Sequence, residues 1–329
     1  VPIDVAPPTC DQDPLLRATS EERIGESSPR TSGDAFYDSD RDRVLVFGGL
    51  RGSGDYTGDV VAIDMESGSS KLLTWLGAPP EGWTQAGTDF DAEGDRAFVV
   101  GGMVRGDFSS RVLELRLPED DVVQSARLQD LPVRARGPAA AYDRDGRRLV
   151  VFGGYDGTGG AQHHDATWVL DPDSDSASWR LLQDAGGPPA QENARMLYVP
   201  SYGLVLLAST AWTAGTATLY AMREGSERWT EIGLSPTWPT GNRASLFWDN
   251  DACRLMYWGG GCTSGAYSIQ LFENAGATEE IEVAFSEVAP RVFMNATLDS
   301  LRARIIAHGG YDCEVWEFLD TVDAFQLAR

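Results

Sequence analysis

Short apolar runs that end in a pair of glycines recur along the chain. They read Val44-Leu45-Val46-Phe47-Gly48-Gly49, Phe98-Val99-Val100-Gly101-Gly102 and Leu149-Val150-Val151-Phe152-Gly153-Gly154. Later copies are Leu255-Met256-Tyr257-Trp258-Gly259-Gly260 and Ile305-Ile306-Ala307-His308-Gly309-Gly310. Between the third and fifth sits a worn copy, Leu204-Val205-Leu206-Leu207-Ala208-Ser209. The first residues of the doublets stand at 48, 101, 153, 208, 259 and 309, in steps of 53, 52, 55, 51 and 50 residues. A fixed period of this length is the mark of a repeat architecture.

A second landmark fixes the register. Ten residues before the doublet stands an aspartate: Asp38, Asp91, Asp143, Asp249 and Asp299, with only the worn copy lacking it, at Val199-Pro200. The stretch from aspartate to apolar run is hairpin-like, as in Asp143-Arg144-Asp145-Gly146-Arg147. A short apolar run precedes the aspartate, as in Ala139-Ala140-Ala141-Tyr142. A third strand follows the doublet after a polar loop (Val60 to Ile63, Thr167 to Leu170, Thr218 to Ala221), and a fourth often carries tryptophan, as at Trp179 and Trp229. Four short antiparallel strands per repeat, six times over, predict an all-β chain folded as a six-bladed β-propeller. One four-stranded sheet cannot bury both of its faces, whereas a radial array packs each sheet on its neighbours.

A diglycine after an apolar strand, an Asp-x-x-x-x-Asp third strand (Asp59 to Asp64) and a tryptophan opening the fourth resemble the Kelch repeat family, in its secreted bacterial form. The copy from Arg136 to Leu182 is the closest match, and the resemblance covers about residues 12 to 329. It implies a Kelch-type propeller and leaves function open. Residues 1–11 read as a tether, and 12–329 as one domain. The segment Asp323-Ala324-Phe325-Gln326-Leu327 resembles a third strand, so the last repeat lacks a fourth. An N-terminal strand near residues 14 to 19, pairing near 321 to 327, is expected to complete the last blade and close the ring.

Charge narrows the partners. Twenty-seven basic against fifty acidic residues leave a net charge of −23, and only Lys71 is a lysine. Such a chain has no cationic surplus to release counterions from phosphate, which argues against nucleic acid. No run of 18 apolar residues is present, so no membrane insertion is expected. A monomer is expected. Val1-Pro2-Ile3 without an initiating methionine reads as a processed or trimmed start. Four cysteines without a C-x-x-C pair favour two disulfides, hence a secreted, periplasmic or cell-surface location, over four buried thiols. Propeller topology puts Cys262 and Cys313 on one rim in adjacent blades, and Cys10 and Cys253 on the other. The expected pairs are therefore Cys262–Cys313 and Cys10–Cys253.

Candidate chemistry gathers at the mouth of the central channel and on the loops after the doublets. Counting back four from each register position gives Asp34, Gly87, Ala139, Arg195, Ser245 and Asn295; counting back six gives Ser32, Gln85, Gly137, Asn193, Arg243 and Phe293. Asp34 is expected to face Arg195 across the channel, with Gln85, Asp89, Arg243 and Asn295 between them. One reading is a polar pocket for a sugar or small acid; the other is a water-filled channel whose polar groups satisfy one another. The loops add aromatic side chains, among them Phe108, Tyr155, Trp212 and Tyr311, suited to carbohydrate stacking or a peptide partner. His163-His164-Asp165 offers a weak divalent-metal set, but neighbouring residues on a strand point apart, so no cofactor and no metal site are expected. Asn295-Ala296-Thr297 fits a glycosylation sequon inside an inner strand, where it should stay bare.

Two functions follow. The first is a recognition module binding a glycan or a protein through these loops and the channel mouth. The second is an enzyme of mutarotase, isomerase or lyase type acting on a carbohydrate or small metabolite, as a resemblance to Kelch-like sialic acid mutarotases implies. The enzyme would need Asp34, Asp89, His308 or Arg195 to converge on one small pocket.

Overall fold

The inner strands are apolar at consecutive positions because both of their faces are covered. In the computed structural model Leu45 and Phe47 pack on Val99 and Leu115 of the second repeat, while Val44 and Val46 pack on Ile306 and Val322 of the sixth. Alternate side chains of a strand point to opposite faces, so one run feeds two interfaces. The same split recurs around the molecule: Phe98 and Val100 meet Leu149 and Val151, Val150 and Phe152 meet Val205 and Leu207, and Leu204 and Leu206 meet Leu255 and Tyr257. Met256 and Trp258 meet Ile305 and Ala307, which brings the circle back to the sixth repeat.

The structure describes residues 17–328 apart from positions 53, 158–161, 175, 183–186, 210–215, 235–237, 240–242, 259–265, 271–277 and 284–290. Among them there is no α-helix, only one short 3-10 turn, Pro200–Tyr202. The first sheet runs Asp34–Asp38, Arg43–Leu50, Tyr56–Asp64, Ser70–Leu72. The third runs Ala139–Asp143, Arg148–Phe152, Thr167–Leu170, Arg180–Leu182. The second and fourth follow the same order, each with one added short strand, Thr74–Trp75 and Trp238–Pro239.

The blades number five, not the expected six. The last two repeats form one eight-stranded sheet, from Ser245–Asp249 at one edge to Asn295–Asp299 at the other. The physical reason is the N-terminal strand, Arg17–Glu26. It pairs antiparallel with Thr321–Ala328, and its first residues also pair in parallel with the fourth strand of the fifth repeat, Arg17 with Glu282 and Ala18 with Val283. This one strand therefore fuses two units that the repeat count treats as separate. The expected pairing with the C-terminal strand is present, but it extends to Glu26, beyond the expected residue 19. Residues 14–16 lie outside the described residues.

Each diglycine among the described residues has a structural task. Gly48 has φ +60°, and a Cβ there would stand 2.4 Å from Nε1 of Trp83 in the next repeat. The following N–H, that of Gly49, donates to the Trp83 carbonyl at 2.9 Å. Gly102, Gly154 and Gly310 donate in the same way to Ala135, Gln191 and Arg30. The last of these bonds joins the sixth repeat to the first. The glycines are therefore where one repeat hydrogen-bonds to the connecting segment of the next, which leaves no room for a side chain.

The register aspartate pairs with an arginine five residues on, across the hairpin. Nε–Oδ2 distances are 2.9 Å for Arg43–Asp38, 3.2 Å for Arg96–Asp91, and 2.7 Å for both Arg148–Asp143 and Arg304–Asp299. In the worn repeat the corresponding cross-strand pair is Val199 with Leu204. Both charges are absent together and an apolar contact stands in their place.

Candidate functional site

The channel wall is built from the first strand of each repeat. Two residues before that strand every repeat turns through a left-handed residue: Ser32, Gln85, Gly137, Asn193, Arg243 and Phe293, all with φ between 52° and 61°. Their backbones link repeat to repeat. Ser32 N–H donates to Phe293, Gln85 to Ser32, Gly137 to Gln85 and Asn193 to Gly137, at 2.6–3.0 Å. Gln85, expected as a ligand contact, thus serves the ring through its main chain.

Asp34 and Arg195 meet as expected, Nη1 to Oδ1 at 2.7 Å. Arg243 approaches the other oxygen at 3.3 Å. Arg195 also donates through Nε to the Ala244 carbonyl at 2.6 Å. Burial, with the Arg195 charge beside it, pulls the Arg243 guanidinium down to about 10. Asp89 does not join this pair. Its carboxylate accepts from the backbone of Tyr142 at 2.6 Å and of Phe90 at 2.9 Å, and burial pushes it up to about 7. Asn295 is buried with its Nδ2 3.5 Å from Nδ1 of His308. The sequon is thus out of reach of solvent. His308 is fully buried and held down to about 3, first by burial, then by Arg30 and Arg291. The cavity beside Asp34 and Arg195 has a volume of about 50 Å³. That is room for about three to five waters, far short of a sugar ring.

The rim at the glycine end of the inner strands carries the exposed chemistry. On the third repeat Arg136 donates to both oxygens of Glu192, each at 2.7 Å. Its guanidinium lies 4.8 Å from the Tyr155 ring centre and 5.6 Å from that of Phe108. Phe108 meets Tyr155 edge-on at 5.8 Å, and His163 lies 5.0 Å from Tyr155. His163 turns toward Glu192 and His164 toward Asp156, so the two imidazoles diverge.

On the sixth repeat Tyr311 forms the base of a projecting turn, meeting Phe318 edge-on at 5.3 Å and Trp316 at a tilt at 5.7 Å. Asp312 holds the turn: its Oδ1 accepts from Glu314 N at 2.7 Å and Val315 N at 3.0 Å, and its carbonyl accepts from Trp316 N at 3.1 Å. At the tip Val315 and Trp316 are each 63% exposed. Trp316 has φ +59°, a strained conformation for a bulky side chain.

The expected site residues thus divide. Asp34, Arg195 and Arg243 converge in the channel, where Asn295 lines the same cavity as Asp34 and Arg195; Tyr155 and His163 converge on the third-repeat rim; Asp89 and Tyr311 are set apart from both. Trp212 lies outside the described residues. So do Cys10 and Cys262, one from each expected disulfide; among the described residues no cysteine is free. Sequence reasoning missed Arg136, Glu192, Val315 and Trp316. The last two had a visible signal, an acidic and aromatic run directly after Gly309-Gly310-Tyr311.

A search of curated proteins returned no match. Residues 17–208, more than half the chain, match the family model described as the KLHDC2/KLHL20/DRC7 Kelch-repeats domain. Diglycine junctions, an all-β propeller and this match agree, and the chain belongs to the Kelch-repeat family.

Proposed function

We propose that this protein is a recognition module that binds a protein partner through its glycine-end rim. The Kelch propeller is in general a protein-binding fold, and the observation that carries the reading here is the Val315–Trp316 tip. Two large apolar side chains stand clear of the surface on a turn fixed by Asp312 and by the Tyr311 ring packed against it. A rigid aromatic anchor loses little conformational freedom on docking, which is why such residues dominate interface energetics. The exposed Glu314, Glu317 and Asp320 frame the tip and no basic residue lies among them, so the fitting partner presents lysine or arginine beside an apolar side chain. The Arg136–Tyr155–Phe108 cluster at the junction of the second and third repeats supplies a second aromatic patch on the same rim.

Selection of displayed peptides on the purified protein tests this. Enriched peptides should carry basic residues next to an apolar one, weaken with salt, and bind Trp316→Ala at least about tenfold more weakly. Peptides that bind Trp316→Ala as well as the parent would remove the tip from the site. A glycan array run beside the selection separates the carbohydrate reading: sugars retained by the parent and lost by Trp316→Ala, with no peptide enriched, would favour it.

A further inference from the structure

The channel contains a charge imbalance that the recognition rim does not use. Two guanidinium groups, Arg195 and Arg243, share the single carboxylate of Asp34, at 2.7 and 3.3 Å. All three side chains are largely withdrawn from solvent. A net positive charge therefore sits near the axis of a chain whose total is −23. Beside it lies the 50 Å³ cavity, lined on its polar side by Asp34, Thr88, Arg195, Ser245 and Asn295. The hydroxyl of Thr88 is buried there with no hydrogen-bond partner, and so is Oδ1 of Asn295. The rest of the wall is apolar, including Phe36, Met196 and Leu246.

We propose that this cavity is a binding site for a small monovalent anion of the halide class. An unpaired buried hydroxyl costs free energy until something accepts its proton, and a buried surplus charge costs more. A halide beside Arg195 meets both needs: it balances the second guanidinium and accepts from the Thr88 hydroxyl. The half-apolar wall favours an ion that sheds water readily. A divalent oxyanion is disfavoured by the Asp34 carboxylate in the wall. Loading the site ties the channel strands of the first, second and fourth to sixth repeats to one central ion, which makes the ring firmer in a chloride-rich medium.

Bromide tests it directly. Crystals grown without halide and soaked in sodium bromide should show an anomalous peak between Arg195 and Thr88. In solution, melting temperature at fixed ionic strength should rise saturably as gluconate is replaced by chloride or bromide. That rise should disappear in Arg195→Met and shrink in Thr88→Val, a near-isosteric change that keeps the fold testable should Arg195→Met fail to fold. No bromide peak and equal melting in gluconate and halide would mean that the cavity holds water alone. A halide effect of unchanged size in Thr88→Val would place the ion elsewhere. Either result overturns the assignment.

Discussion

Two titratable side chains, His308 and Asp89, pull stability in opposite directions with pH. His308 is held down to about 3 in the folded protein, chiefly by burial and then by the charges of Arg30 and Arg291. The unfolded chain takes up that proton near 6.5, so stability falls as pH drops from about 6.5 toward 3. Asp89 is raised to about 7 by burial. The folded protein keeps its proton above the ordinary carboxylate range, so this group costs stability as pH rises from about 4 toward 7. Each slope reaches at most about 1.4 kcal/mol per pH unit. Denaturant titrations across pH 4–8 should show Asp89→Asn gaining on the parent as pH rises, and His308→Gln gaining as pH falls. Parallel curves for parent and variants would contradict both assignments. Neither environment was legible in the sequence. His308 reads there as a residue beside a diglycine, and only the approach of Arg30 and Arg291 from distant segments gives it its character.

At the scale of the element, the hairpin is the unit that repeats most faithfully. Asp143 is fully buried and pairs with Arg148 across the turn at 2.7 Å. Removing one partner strands a buried charge, which typically costs about 3–5 kcal/mol, whereas replacing both by apolar side chains costs far less. The fourth repeat has made that double replacement, with Val199 opposite Leu204. Asp143→Val alone should therefore destabilise by roughly 3–5 kcal/mol in urea melts, and Asp143→Val with Arg148→Leu should recover most of it. Simple addition of the two single losses would show that the pair is uncoupled. The aspartates, glycines and apolar runs stood out in the sequence because they recur at a fixed spacing. The paired arginines recur just as regularly at Arg43, Arg96, Arg148, Arg254 and Arg304, but their role shows only once the hairpin brings position five back to position zero. The Val315–Trp316 tip was harder to read, because a feature present in one repeat has no period to reveal it.

At the scale of the molecule, arginine joins repeat to repeat. Arg302 of the sixth repeat grips Asp42 of the first, and Arg41 of the first reaches Asp95 of the second at 2.6 Å. Arg144 of the third meets Glu93 of the second at 2.6 Å. The planar fork of arginine suits such bridges better than the point charge of lysine, which fits a chain with a single lysine. These contacts fix the rim at the hairpin turns; on the opposite rim the exposed tip depends on its own anchorage, since its loop runs from the last diglycine to the strand Thr321–Ala328, which is held from one side by Arg304–His308 and from the other by Arg17–Glu26. Closure of the ring by its own first strand was legible from a missing fourth strand in the last repeat. The fusion of the last two repeats was not, because the parallel pairing of Arg17 and Ala18 with Glu282 and Val283 joins segments with no sequence relation.

Closure is the feature on which channel, rim and tip all depend, and removal of residues 1–26 tests it most directly. Hydrogen exchange read on the truncated chain should show lost protection across Thr321–Ala328 and an earlier denaturant midpoint, both restored by adding a synthetic peptide of residues 12–26. A truncated chain that exchanges and unfolds like the intact one would contradict a ring held shut by its first strand.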